Sequence, residues 1–139
     1  FKKIKRRCSW CPSCFGYGGI HGAIPNYSSE GIILSCDVAS LYPSIIIEYG
    51  YMSRAVEGVE KYREIRDTRL ELKKKKDPKQ LPLKIVLNSC YGTFKDKYNP
   101  LYDPRQSNNV CVTGQLLLLD LIEKLEPYGE IIQLTQWLN

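Results

Sequence analysis

Asp37-Val38-Ala39-Ser40-Leu41-Tyr42-Pro43-Ser44-Ile45 and Lys84-Ile85-Val86-Leu87-Asn88-Ser89-Cys90-Tyr91-Gly92 are the two stretches on which the reading of this chain turns. The first puts a carboxylate at the end of the apolar run Ile32-Ile33-Leu34-Ser35-Cys36-Asp37-Val38. Apolar almost throughout and rich in β-branched residues, that run reads as a buried strand. A tight turn follows, carrying a hydroxyl, an aromatic ring and a proline. In the second stretch Lys84, Asn88 and Tyr91 are spaced i, i+4 and i+7, which places them on one helix face. Leu83, Val86, Leu87 and Cys90 form the expected packing face. Hard Mg²⁺ takes a few carboxylates together with phosphate oxygens, and a lysine brings a point charge on a long reach to a phosphate tail. The two stretches together are suited to a metal-bound triphosphate.

Composition sets the bounds. The chain has 139 residues, 43% of them hydrophobic and 11% aromatic, enough for one domain with a core and too apolar for a disordered tail. It begins with Phe, so a piece of a longer protein is expected. No apolar run approaches the ~18 residues of a membrane span, and the basic start from Lys2 to Arg7 lacks the apolar stretch of a signal peptide. A cytoplasmic location follows, with the six cysteines read as thiols. Of the net charge of +5, the distribution matters most: cations crowd into residues 2–7 and 61–76. Such clusters attract polyanions or serve as a solvated helix face.

Along the chain, glycines and Pro25 mark residues 1–31 as loop and turn. After the strand, Pro43 sets a turn and Ile45-Ile46-Ile47 opens a short helix. Val56–Lys76 reads as a helix with a narrow apolar stripe at Val59, Tyr62, Ile65 and Leu72. A second, cationic stripe runs through Arg66, Arg69, Lys73 and Lys76. Asp77-Pro78 ends that helix. Another starts near Leu81-Pro82 and stops at Gly92, giving an antiparallel hairpin. Residues 95–109 read as an extended connection, Val110–Glu126 as a buried helix, and Glu130-Ile131-Ile132-Gln133 as the start of a further strand. This order suits an α+β fold better than a βαβ array. The expected divisions are 1–31, 32–55, 56–94 and 95–139.

The patterns D-x-x-S-L-Y-P-S-I and K-x-x-x-N-S-x-Y-G resemble the first two polymerase motifs of family B DNA polymerases of phage, organellar and viral type. The resemblance covers residues 16–133 and implies template-directed addition of deoxynucleotides to a DNA 3′ end. It implies palm strands with an inserted fingers hairpin, here incomplete. Asp37 would be the catalytic ligand of two Mg²⁺ ions, with the carbonyl of Val38 as a further metal ligand. The backbone around Ser40 and Leu41 would receive the triphosphate, and the ring of Tyr42 would lie under the sugar and exclude a ribose 2′-hydroxyl. Lys84 and Asn88 would contact the triphosphate, while Tyr91 and Gly92 would line the nascent base pair. Arg69 and Lys73 match the fingers cations, Arg69 as the γ-phosphate clamp, with Arg63 and Arg66 as alternatives one turn away. Gly18 and Gly19, within Tyr17-Gly18-Gly19-Ile20-His21-Gly22, resemble a glycine-rich segment that contacts template DNA.

The implied partners are primer–template DNA, deoxynucleoside triphosphates and the remainder of a polymerase chain: exonuclease, thumb and the rest of the palm. No membrane partner is expected; a phage-encoded enzyme would work in the bacterial host cytoplasm. The family's third motif, D-T-D, is due after Glu130, yet no carboxylate occurs beyond that residue. The expectation is a chain that binds nucleotide or DNA but does not polymerise alone. The rival reading is a non-enzymatic nucleic-acid-binding module, with Cys8, Cys11, Cys14 and His21 around a zinc ion. Cys36, Cys90 and Cys111 read as small core residues.

Overall fold

The glycine-rich first thirty residues, read from the sequence as loop and turn, contain strands. The computed structural model describes residues 5–8, 11–16 and 19–136, the first two stretches by backbone alone. The protein is mixed α and β, with four α-helices and an antiparallel sheet among the described residues. It divides into two units: one gathers the chain up to Asp37 together with Cys111 onward, and the other runs Val38–Val110.

In the first unit, β1 (Lys5–Cys8), β2 (Cys11–Gly16), β3 (Gly19–Ala23) and β4 (Gln133–Thr135) lie in the order β1-β2-β3-β4. Side chains are described for the β3–β4 pair, in which His21 faces Thr135 and Ala23 faces Gln133. The Ile24 amide extends that pairing to the Ile132 carbonyl at 3.0 Å. At the other end Gln136 closes it: its amide donates to the Ile20 carbonyl at 3.0 Å, and its Oε1 accepts from the Ile20 amide at 3.1 Å. A Cβ on Gly19 would stand 2.9 Å from the Gln136 carbonyl oxygen, and its φ is +152°. Both facts require glycine there.

The second unit holds α1 (Leu41–Glu48), α2 (Glu60–Lys74), α3 (Gln80–Thr93) and the start of α4 (Pro104–Leu125). Pro43 is tolerated in the first turn of α1, where an amide has no intrahelical partner. Helices α2 and α3 form the expected antiparallel hairpin: Tyr62, early in α2, donates its hydroxyl to the Leu87 carbonyl, late in α3, at 3.1 Å. Burial raises the Tyr62 phenol well above its usual range. The core of this unit is Tyr42, Ile45, Ile46, Ile47, Tyr62, Leu87, Tyr91, Phe94 and Val110. Asp103 precedes Pro104 as a helix cap, its Oδ1 accepting from the Gln106 amide at 3.3 Å. Arg54 grips the same buried carboxylate with Nε at 2.8 Å and Nη2 at 3.0 Å. The Arg54 hydrogen bond holds the Asp103 carboxyl well below the usual carboxylate range.

Several expectations are corrected. Residues 32–38 form no strand and are exposed, with Ile32, Ile33 and Leu34 at 94%, 77% and 85%. A strand needs a neighbour to ladder with, and among the described residues none pairs with this run. Cys36 is accordingly exposed rather than a core residue. Residues 1–31, read as loop, supply three strands, paired antiparallel in chain order. Helix α4 begins at Pro104 and not Val110, because Asp103-Pro104 is a helix start hidden in a Tyr- and Asn-rich stretch. Val86, assigned to the packing face of α3, is 48% exposed, because the buried row runs through Leu87 and Tyr91 instead. Among the described residues no helix is long and apolar enough to cross a membrane.

Candidate functional site

The turn before α1 and the first turn of that helix receive two arginines of α2. Ser40 sits in the left-handed region, with φ 56° and ψ 43°, and is buried. A non-glycine residue there carries about 1 kcal/mol of backbone cost or more. Its carbonyl accepts the first helical bond, from the Ser44 amide at 3.0 Å. Its hydroxyl receives a hydrogen bond from Nη1 of Arg69. Arg69, on the third turn of α2, is buried. Its guanidinium therefore stands at the N-terminus of α1, where the helix's first amides also direct positive potential outward. One turn earlier Arg66 reaches Ser44 Oγ at 3.4 Å and Glu48 Oε1 at 3.7 Å, which ties α2 to α1. Of the cationic stripe read from the sequence, these two arginines face the packed interior.

The aromatic side of the same region is continuous. The rings of Tyr42 and Tyr91 meet edge to face, with centroids 5.0 Å apart and planes at 71°. Tyr91 meets Phe94 in the same manner at 6.0 Å. Pairs of this kind contribute about 0.5–1.5 kcal/mol beyond burial. The Tyr91 hydroxyl lies 3.4 Å from Ser107 Oγ on α4, a weak contact, and Lys95 Nζ lies 5.7 Å from the Tyr91 ring centroid.

Two pairs of the expected site residues are thus brought together: Ser40 with Arg69, and Tyr42 with Tyr91. The two pairs share the start of α1. Leu41 is its first, half-buried residue. Lys84 and Asn88 are half-buried on the helix row that ends in Tyr91, while Lys73 and Gly92 are exposed. Val38 is exposed in this unit. Asp37 is also exposed but belongs to the first unit. Gly19 is buried against Gln136. Gly18 and the side chains of Cys8, Cys11 and Cys14 lie outside the described residues. The strand register pairs Cys8 with Cys11 and Cys14 with His21.

Sequence reasoning missed Ser107, Phe94 and the Arg54–Asp103 pair. Asp103-Pro104 carried a readable helix-start signal; nothing in the sequence linked Arg54 to it. Burial also raises the Cys90 thiol above its usual value, so it is a poor nucleophile. No protein-family model, curated protein or solved structure matches this chain.

Proposed function

We propose that the second unit binds a metal-bound deoxynucleoside triphosphate and belongs to a template-directed DNA polymerase of family B type. The observation that carries this reading is the meeting of Arg69 with Ser40 at the N-terminus of α1, beside the Tyr42–Tyr91 ring pair. Residues from the two sequence motifs and from the helix between them share one neighbourhood. A guanidinium and the first amides of a helix are donors suited to phosphate oxygens. Lys84 and Asn88 extend those donors along α3, and Tyr42 supplies a rigid ring where a sugar would rest.

The reaction is attack of a primer 3′-oxygen on the α-phosphorus, which forms one phosphoester bond and releases pyrophosphate. Asp37, the residue directly before this unit in the chain, is the carboxylate that the motif resemblance would assign to Mg²⁺. One carboxylate with triphosphate oxygens and water is a donor set that Mg²⁺ accepts, and the ions would stabilise the attacking and leaving oxygens. Arg69 and Lys84 would hold the triphosphate, and Tyr42 would select the deoxy sugar.

The test is equilibrium binding of dATP in the presence of Mg²⁺. Lys84→Ala should weaken binding about 10-fold or more, the scale of one hydrogen bond to a charged group. Equal affinity for wild type and variant would remove the phosphate role of α3.

A further inference from the structure

Residues 73–79 read Lys-Lys-Lys-Lys-Asp-Pro-Lys, five lysines against one aspartate. They form the end of α2 and the turn into α3. The cations of α2 and of the turn after it differ in exposure; Lys61 and Arg63, early in the helix, are exposed and pair with Glu64 and Glu48. Arg66 and Arg69 are used within the unit, on Ser44, Glu48 and Ser40. Lys73, Lys74, Lys75, Lys76 and Lys79 are all exposed. The one aspartate is engaged locally, its Oδ1 accepting the Lys79 amide at 2.8 Å.

Backbone geometry adds an independent observation. Lys76 has φ +55°. The Asp77 amide reaches the Leu72 carbonyl at 2.9 Å, and the Lys76 amide reaches the Lys73 carbonyl at 3.1 Å. That pair of bonds is the helix-ending arrangement in which glycine normally takes the left-handed position. Here a lysine takes it, so a charge stands where the backbone favours no side chain at all.

We propose that this hairpin tip is a sequence-independent binding surface for a nucleic-acid phosphate backbone. Lysines on flexible stems act as point charges, without the fixed fork with which arginine selects one bidentate partner. That suits a chain of phosphates sliding past. Within residues 73–79 the only apolar side chain is the small ring of Pro78, with no aromatic or long aliphatic group to enter a lipid surface. The inference rests on the lysines alone and stands apart from the nucleotide site.

The test is fluorescence anisotropy of labelled dT20 across a salt series, with a duplex and anionic phosphatidylserine vesicles as further probes. Lys74→Ala/Lys75→Ala/Lys79→Ala should lose about 10-fold in affinity for dT20 at low salt. Its slope of log affinity on log salt should flatten by about 2, at ~0.7 for each single-strand phosphate no longer neutralised. A control variant, Lys61→Ala/Lys97→Ala/Lys124→Ala, removes three other exposed lysines and should change the slope far less. Lys76→Gly should bind dT20 more weakly while melting at a higher temperature, which separates lost charge from lost fold. Equal losses in the tip and control variants would overturn the proposal, as would a Lys76→Gly variant that binds like wild type. Tip-dependent binding to vesicles but to neither nucleic acid would overturn it too. Tip-dependent binding to the duplex as well as dT20 supports it and widens the partner to both forms.

Discussion

Ile32-Ile33-Leu34 and Ile45-Ile46-Ile47 are nearly the same triplet, yet they meet opposite fates. The first is 94%, 77% and 85% exposed; the second is 2%, 0% and 4% exposed. Composition does not separate them. The second triplet lies on α1, whose backbone bonds are satisfied within the helix, so only its side chains need a partner. α2 and α3 of the same unit supply one. An extended segment needs a neighbouring strand for its backbone as well as a surface for its side chains. The first triplet has no such ladder among the described residues. A helix can be read from its own residues; a strand belongs to its pair.

The comparison breaks most visibly at its buried end. Ile46→Ala should cost about 3 kcal/mol in urea denaturation, through lost burial and the cavity left behind. The Asp103 carboxylate, capping α4 and gripped by Arg54, sharpens the contrast through pH. Its folded pKa is depressed, so its stabilisation is complete above the unfolded value of about 4 and is lost as the pH falls below that. Asp103→Asn should abolish that acid-side loss in a thermal melt series. Tyr62 has the opposite sign: its folded pKa is raised, so stability is lost as the pH climbs past about 10. Tyr62→Phe should remove that alkaline loss and cost about 1 kcal/mol at neutral pH, for the hydrogen bond to Leu87. Lys76→Gly should stabilise by about 0.5–1 kcal/mol by relieving a left-handed lysine. At the exposed end Ile33→Ala should change stability by less than about 0.5 kcal/mol. A large cost there would mean that the run is covered in the folded protein.

The same contrast explains what was legible in the sequence. The α2–α3 hairpin was legible because Asp77-Pro78, Pro82 and Gly92 punctuate it and each helix carries its own periodicity. The buried face of α3 was misplaced by one residue, at Val86, because Lys84, Asn88 and Tyr91 share a row with the core and polar residues masked its direction. Arg69 read as one member of a cationic stripe, and its inward turn to the Ser40 hydroxyl was not legible. A long side chain's destination depends on what another helix brings near it, which no periodicity encodes. The left-handed backbone of Ser40 was equally hidden, since serine gives no such signal where glycine would. Both of these residues were nonetheless among the expected site positions. There the resemblance of the two motifs informed the reading where propensity alone did not.

The most direct measurement of the nucleotide-site claim is amide and guanidinium chemical-shift mapping of the ¹⁵N-labelled chain, titrated with Mg²⁺ and dATP. The account predicts saturable shifts at Ser40, Leu41 and Tyr42, at the Arg69 side chain, and at Lys84, Asn88 and Tyr91. Shifts confined to Lys73–Lys79, or no saturable shift anywhere in Val38–Val110, would contradict it.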